Sequence, residues 1–327
     1  MSKSVLSAPH FHDEAAAFAY VEARVWPTGC FCPHCGGEGV ALPGVRGKAK
    51  KDKEGKVITP GAVRIGLKRC AACHVQFTVR VKTIFESSHV PLHLWLQAMF
   101  LLASSKKGIS SNQLSRTLGV TLKTAWFMSH RIRLAMQDGT AGMFGAGGGG
   151  VEADETFIGR EPGQKVRPGP GHKMKVVTLV DRDTKQARST VVDVLSSETV
   201  GQIVRENVSR EARLLTDESR LYRKVGQEFA AHSSVNHFAH EYVSKADPTI
   251  HTNTVEGFFS VFKRGMRGVY QHCAKAHLHR YTTEFDFRYS NRVRLGVDDQ
   301  ARFALVVNGI VGKRLTYQTV GRQGAAA

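Results

Sequence analysis

Apolar residues change their spacing near residue 150. Before that point they recur with helical spacing, which predicts two helices followed by a close pair of helices. The predicted helices cover residues 7–22, 92–103, 111–118 and 121–136. Gly119 separates the last two, and Thr121 is placed to cap the second. This arrangement predicts a helix-turn-helix, in which Lys123 and Thr124 face DNA near the start of the second helix and Arg131 and Arg133 lie at its far end. The alternative is an ordinary helical hairpin.

After residue 150, strand-like alternation and helical spacing are interspersed. Three strands, a helix, a short strand, another strand and a further helix are predicted in that order. They cover residues 151–158, 174–180, 187–194, 198–208, 212–217, 229–235 and 252–266. The last helix carries apolar residues at i, i+3, i+4, i+7 and i+11 from Val255. This order predicts an α/β fold, namely a ribonuclease H-like mixed-sheet catalytic domain.

Three acidic residues lie on elements of that order that can converge in the fold. Asp154 lies on the first strand, Asp217 ends the fourth, and Glu256 lies in the first turn of the last helix. Three convergent carboxylates would hold two divalent cations, which activate a nucleophilic oxygen and stabilise a leaving oxygen at a phosphodiester. Each residue also has a simpler interpretation: an exposed strand acid, a helix cap, and a capping pair of Asn253 with Glu256.

Two Cys-x-x-Cys knuckles precede the helical region. Cys32 and Cys35 form the first, Cys70 and Cys73 form the second, and 34 residues lie between them. Four thiolates complete a closed tetrahedral site, which predicts structural zinc in a zinc ribbon. Cys30 is a weaker competitor because its spacing to Cys35 is wrong for a knuckle.

Charge strengthens a nucleic-acid interpretation. The 327 residues carry 46 Lys and Arg against 28 Asp and Glu, a net charge of +18. Residues 41–82 contribute eleven basic and two acidic residues, so half of the excess (11 − 2 = +9) lies beside the knuckles. A solvated loop is the alternative, but its position between the knuckles favours phosphate contact. The sequence contains no apolar run long enough to predict a membrane span, and no secretory signal is expected. A cytoplasmic protein is therefore predicted.

Short motifs resemble one family of enzymes. The order and spacing of four residues look like an Asp-Asp-Glu signature: Asp154, then Asp217, then Glu256 after 38 intervening residues, and Lys263 seven residues later. The surrounding segments resemble the bacterial insertion-sequence DDE transposases that carry an N-terminal zinc ribbon. The segments are VEADETFIG from Val151, LTDES from Leu215, HTNTVEGFFS from His251 and FKRGMRG from Phe262. The resemblance covers roughly residues 11–292.

The resemblance implies a DNA transposase. Such an enzyme cuts the ends of its element, and the freed 3′-hydroxyl attacks target DNA. By this resemblance Asp154, Asp217 and Glu256 bind Mg²⁺ (or Mn²⁺), two ions per active site, and Lys263 contacts substrate phosphate. Asn253, one turn before Glu256, is the weaker candidate for the third position. Arg264 and Arg267 are further candidates for DNA contact.

The resulting organisation has six segments and one expected partner. The segments are an N-terminal helix (1–29), a zinc ribbon with a basic insertion (30–85), a helix-turn-helix region (90–137), a Gly-rich linker (138–150), the catalytic domain (151–293) and a tail (294–327). Double-stranded DNA, as element ends and target, is the expected partner of a homo-oligomer associated with the nucleoid, without membrane contact. A structure-selective nuclease and a catalytically inactive DNA-binding regulator are the alternative functions.

Overall fold

A computed structural model describes residues 4–137, 142–237 and 241–316. The helices, labelled α1 to α9, are Glu14–Val25, Leu92–Ser104, Ser111–Leu118, Leu122–Ala135, Ser197–Asn207, Arg223–Gly226, Asn253–Gly265, Lys275–Ser290 and Asp299–Asn308. The strands, labelled β1 to β10, are Gly39–Ala41, Lys50–Lys51, Val57–Thr59, Lys68–Cys70, Gln76–Phe77, Gly150–Ile158, Met174–Asp181, Ala187–Val192, Arg213–Asp217 and Ala231–Val235.

The chain divides into two units. The first comprises Met1–Ser104, Ser111–Ala135 and Phe303–Ala327, and the second comprises Ser105–Ser110 and Met136–Arg302. The first therefore holds the cysteine knuckles with helices α1 to α4, and the second holds the large sheet. No helix among the described residues is both long and apolar enough to cross a membrane.

Helices of the first unit follow the sequence prediction closely, with one difference at the N-terminus. Helix α1 begins at Glu14 because the Asp13 side chain accepts a hydrogen bond from the backbone N–H of Ala16 at 2.7 Å. The residues before Asp13 form short 3-10 turns instead of the predicted start near residue 7. Helices α3 and α4 lie where predicted, Gly119 has a φ of 64°, and Thr121 Oγ1 accepts a hydrogen bond from Thr124 N.

The cysteine-containing segment is a small three-stranded antiparallel sheet with an inserted hairpin. Strand β4 pairs with both β1 and β5, and the hairpin β2–β3 extends from the basic insertion. The final strand of this sheet, β5, ends at Phe77. Phe77 is buried against Cys32 and Cys70, so this sheet packs around its knuckles.

The C-terminal segment contributes to the core of the first unit, which the sequence pattern did not reveal. Phe303 of α9 is buried and lies 5.4 Å from the Phe11 ring and 5.9 Å from the Phe100 ring, measured between ring centroids. Val311 forms a β-bridge with Thr83. The segment was expected to be an unpatterned tail, and that expectation is wrong for its residues up to 316.

The second unit is built on a five-stranded mixed sheet with the order β10-β9-β6-β7-β8. Strand β7 is antiparallel to β6 and to β8, whereas β9 is parallel to both β6 and β10. Helix α5 packs on the face that bears Val151 and Ala153, and helices α7 and α8 cover the opposite face around Val176. Every predicted strand and helix is present in order, and the ribonuclease H-like fold is confirmed.

The glycine-rich segment before β6 is attached to the second unit. Phe144 is buried in the core of that unit, and its backbone N–H donates to the carbonyl of Asn207 at 2.8 Å. The Asp181 carboxylate accepts a hydrogen bond from Gly145 N, also at 2.8 Å. A flexible linker was expected over 138–150, but residues 142–150 are pinned by these contacts. Residues 138–141 lie outside the described part of the chain.

Shortening Phe303 to alanine should destabilise the first unit. The side chain is 2% exposed, so its removal loses buried apolar surface and leaves a cavity. We expect a loss of about 3–5 kcal/mol in the free energy of unfolding. Chemical denaturation measures the loss, and Leu305→Ala on the same helix is the matched control because Leu305 is exposed. Equal stability of the two variants would contradict the packing of this segment.

Candidate active site and zinc centre

Asp154 and Asp217 lie two residues beyond the paired residues of two neighbouring parallel strands. In the parallel pair β6–β9, Val151 lies opposite Leu214 and Glu152 lies opposite Leu215. Continuing this register by two residues sets Asp154 opposite Asp217, with both side chains on the face covered by α7. The first two acids of the predicted trio therefore share one edge of the sheet.

Glu256 approaches from the helix above that face. Apolar residues of α7, including Val255 and Phe259, are buried against the sheet, and they hold the helix over β6 and β7. Glu256 lies on the rim of this contact with its side chain 40% exposed. Its Oε1 accepts a hydrogen bond from Thr252 Oγ1 at 3.2 Å.

The three carboxylates repel one another. Burial, followed by the negative charges of Asp217, Glu155 and Glu256, raises the pKa of Asp154 well above its usual range. Burial also raises the pKa of Asp217. Among the described residues only the cysteine group brings its ligand atoms within 4.8 Å of one another, so these acids do not form an equally tight cage. An uncompensated acidic group in a basic chain is an arrangement that divalent cations stabilise.

Lysine and arginine side chains lie on the same helix and on the π-helical segment Met266–Tyr270 that follows it. Burial lowers the pKa of Lys263, while the Asp154 carboxylate acts in the opposite direction, which places the ammonium within the field of the acids. Its Nζ lies 5.7 Å from the centroid of the Phe259 ring. Arg264 and Arg267 are exposed, and Arg264 also donates to Ser260 Oγ at 2.7 Å.

The cleft beside Asn253 is lined by basic residues and by none of the three acids. The Asn253 side chain is exposed and lines this cleft of about 580 Å³, whose other lining residues include Lys185, Arg292 and Arg294. Glu256, in contrast, contributes to the field at Asp154. The geometry therefore favours Glu256 as the third acid.

His237 is a site residue that the sequence reasoning missed. It follows β10, the strand parallel to β9, and its Nε2 lies 3.5 Å from Glu256 Oε1 and 3.3 Å from Thr252 Oγ1. Its backbone N–H donates to Glu218 Oε2 at 2.8 Å. The signal was available, because carboxyl ends of neighbouring parallel strands meet at one edge of a sheet.

Glu155 and Tyr222 support the acids from the opposite face of β6. Tyr222 is fully buried, and its hydroxyl donates to Glu155 Oε2 at 2.9 Å. Burial and the charge of Asp217 raise the pKa of Glu155. This hydrogen bond holds Glu155 on the face of β6 opposite to Asp154, so the strand carries adjacent acids on its two faces.

Four cysteines form a separate centre in the first unit. The Sγ atoms of Cys32, Cys35, Cys70 and Cys73 all lie within 4.8 Å of one another. Two of the separations are 3.8 Å for Cys32–Cys73 and 3.5 Å for Cys35–Cys70. A tetrahedral zinc ion with Zn–S bonds of ~2.3 Å requires sulfur atoms about 3.8 Å apart. The cluster fits structural zinc, and Cys30 is outside it.

Two of the residues expected at the DNA surface are buried. Lys123 is exposed and Thr124 half-buried near the start of α4, as the helix-turn-helix prediction requires. Arg131 and Arg133, however, are only 5% and 1% exposed. The Arg131 guanidinium donates to the carbonyls of Ile84 and Glu86 at 2.7 and 2.8 Å. The DNA-contact prediction is therefore wrong for both arginines, because their side chains point into the protein.

Family models match both parts of the chain. Residues 147–290 match the ISXO2-like transposase domain, a range that contains Asp154, Asp217, Glu256 and Lys263. Residues 12–48 match a transposase zinc-ribbon domain. That second match includes the first knuckle and ends within the basic insertion, and the fold brings the second knuckle back to it.

The chain is also similar to one protein of a transposable element and, more distantly, to chains of two solved structures. The chain is 25% identical over 287 residues to an uncharacterized protein in transposable element ISH50 of Halobacterium salinarum, covering 80% of this chain and 86% of the relative. The intasome of simian T-cell lymphotropic virus bound to PP2A regulatory subunit B56 gamma contains a chain with 11% identity and a TM-score of 0.27, and the match covers 54% of this chain and 63% of that one. The Mos1 strand transfer complex gives 12% identity and a TM-score of 0.18, with 62% and 78% covered.

Replacing Cys70 by serine should remove zinc from the first unit. A hydroxyl is a poor zinc ligand, and the ribbon depends on the ion to join its two knuckles. We expect zinc content to fall from about one ion per chain to a small fraction of that, with loss of ribbon structure by circular dichroism. Cys30→Ser is the matched control and should keep its zinc. Zinc retained in Cys70→Ser would refute the four-cysteine site.

Proposed function

We propose that this chain binds terminal inverted repeats, hydrolyses a phosphodiester at each element end and joins the freed 3′-hydroxyl to target DNA. The chain belongs with the insertion-sequence transposases that carry a zinc ribbon and an ISXO2-like transposase domain. The observation that carries the proposal is the parallel register of β6 and β9, which brings Asp154 and Asp217 together just beyond the paired residues, where the charges of Asp217 and Glu256 act on Asp154.

The donor set suits divalent cations. Asp154, Asp217 and Glu256 would hold two Mg²⁺ or Mn²⁺ ions, since hard cations prefer carboxylate oxygen. Bound there, the ions would activate the attacking oxygen and stabilise the leaving one. Burial, followed by the negative charges of Asp217, Glu155 and Glu256, raises the pKa of Asp154, and such ions would neutralise those charges.

The chain's own residues orient the DNA strand. Lys263, two helical turns after Glu256, is placed to hold a non-bridging phosphate oxygen beside the acids. His237 and Thr252 hold the Glu256 carboxylate through contacts at 3.5 and 3.2 Å. The first attack uses water, and the second uses the 3′-hydroxyl that the first releases. The same carboxylates thus serve both steps.

DNA recognition is assigned to exposed basic surfaces of each unit. In the first unit these are Lys123 at the start of α4 and the lysine-rich insertion around β2 and β3. In the second unit they are Arg264, Arg267 and the cleft that Lys185, Arg292 and Arg294 line. Joining two element ends requires the protein to act as an oligomer on DNA.

A strand-transfer assay tests the proposal. The substrate is a labelled duplex with the inverted repeat that flanks the gene, incubated with Mg²⁺ and a supercoiled target plasmid. We expect cleavage at the repeat and joining to the plasmid, and we expect Asp154→Asn, Asp217→Asn and Glu256→Gln each to lower both by more than about 10³-fold. Glu206→Gln, at an exposed position of α5 on the opposite face of the sheet, is the control and should retain activity.

Each other outcome has a definite meaning. Cutting without joining would point to a nuclease of the same fold instead. Binding of the repeat without cutting, by a wild type that is folded and loaded with zinc, would point to a DNA-binding regulator. Cleavage that persists in Asp217→Asn would place the chemistry elsewhere.

Replacing Lys123 and replacing Arg131 should have different effects. Lys123→Ala should weaken repeat binding and reduce the slope of log affinity against log salt by about 1, because one phosphate contact is lost. Arg131→Ala should lower the melting temperature instead, since its guanidinium is bonded to buried backbone carbonyls. Fluorescence anisotropy at several salt concentrations and thermal unfolding measure the two effects. An unchanged salt slope in Lys123→Ala would remove this residue from the DNA surface.

A further inference from the structure

Glu152 is a fully buried carboxylate next to the acidic site. It lies two residues before Asp154 on β6, so both side chains project toward α7. Its Oε2 accepts hydrogen bonds from the backbone N–H groups of Thr254 and Val255, both at 2.8 Å. A side chain of strand β6 therefore caps the helix that carries Glu256.

The helix has no capping side chain of its own. Thr252 is its N-cap residue but makes no side-chain hydrogen bond to the backbone N–H groups. Its hydroxyl bonds the Glu256 carboxylate instead. The first N–H groups of a buried helix need acceptors. The Glu152 carboxylate is the acceptor for two of these N–H groups.

Arg182 completes the arrangement. Its Nε donates to Glu152 Oε1 at 2.6 Å, and its terminal nitrogen donates to the carbonyl of His251 at 2.7 Å. A second terminal nitrogen donates to the carbonyl of Thr249. The guanidinium thus joins the buried carboxylate to the loop that leads into α7. Glu152 and Arg182 together define what we call the helix anchor.

We propose that the helix anchor is a positioning device for metal binding: Glu152, held by Arg182, sets the first turn of α7 so that Glu256 faces Asp154 and Asp217. The inference rests on the proposed function. Strand β6 carries both Asp154, the first acid, and Glu152, which caps the helix that carries Glu256. The two-residue spacing between Glu152 and Asp154 therefore ties the position of that helix to the position of the first acid. Because an α-helix is stiff over one turn, fixing the N–H groups of Thr254 and Val255 also fixes the backbone of Glu256.

Direct Mn²⁺ binding tests the helix anchor. Electron paramagnetic resonance of full-length, zinc-loaded protein without DNA measures free Mn²⁺, and Asp154→Asn identifies the signal that belongs to the acidic site. Loss of a group that orients metal ligands costs about 10–100-fold in affinity. We expect Glu152→Gln to weaken Mn²⁺ binding within that range.

A double variant separates positioning from charge. Glu152→Gln also removes a negative charge near the site, which by itself weakens cation binding. Glu152→Met with Arg182→Met removes one charge of each sign and leaves neither partner buried and unpaired. We expect this double variant to remain folded and still to lose about 10–100-fold in Mn²⁺ affinity.

Glu284→Gln is the matched control. Glu284 is also fully buried and paired with an arginine, Arg288, within α8 of the same unit. We expect it to lower the melting temperature without changing Mn²⁺ affinity. Wild-type affinity in the folded double variant would overturn the helix anchor alone. A wild type that binds no Mn²⁺ at Asp154 would overturn the proposed function itself.

Discussion

The parallel register between β6 and β9 is the constraint on which the acidic site depends. Continued two residues beyond the Glu152–Leu215 pair, it brings Asp154 next to Asp217, although 62 residues separate them along the chain. A shift of one residue would turn one of the acids to the other face of the sheet, because side chains alternate along a strand. The apolar residues on both faces prevent such a shift: Val151 and Leu214 must face α5, so the acids must face α7.

Bringing the acids together is unfavourable for the isolated chain, and the fold offsets the cost in several ways. Helix α7 is held over the sheet by its buried phenylalanines, and its first turn is capped by Glu152. Lys263 on the same helix adds a positive charge within the field of Asp154. What remains is an excess of negative charge in a chain of net +18. That combination suits a site that binds cations and a DNA phosphate at once.

The zinc ribbon is governed by a comparable long-range constraint in the first unit. Four thiols meet across an insertion of 34 residues, and only a small sheet and Phe77 pack around them. Such a core is too small to hold the knuckles together unaided, so metal binding and folding are linked. The insertion itself forms an exposed basic hairpin, which leaves its lysines available to phosphate. The first unit thus presents an exposed basic hairpin, and the second holds an acidic centre.

Residue pattern alone predicted the order of the elements from β6 to α7, the four cysteines that the fold brings together and the three acids proposed for the site, because periodicity and spacing are local properties. It could not determine burial. Arg131 and Arg133 look like surface cations in the sequence, yet their guanidinium groups satisfy backbone carbonyls inside the protein. Nor could it show that Phe303 returns to pack near Phe11, or that Glu152 caps a helix a hundred residues away. Those facts depend on contacts between distant segments, which only the tertiary structure decides.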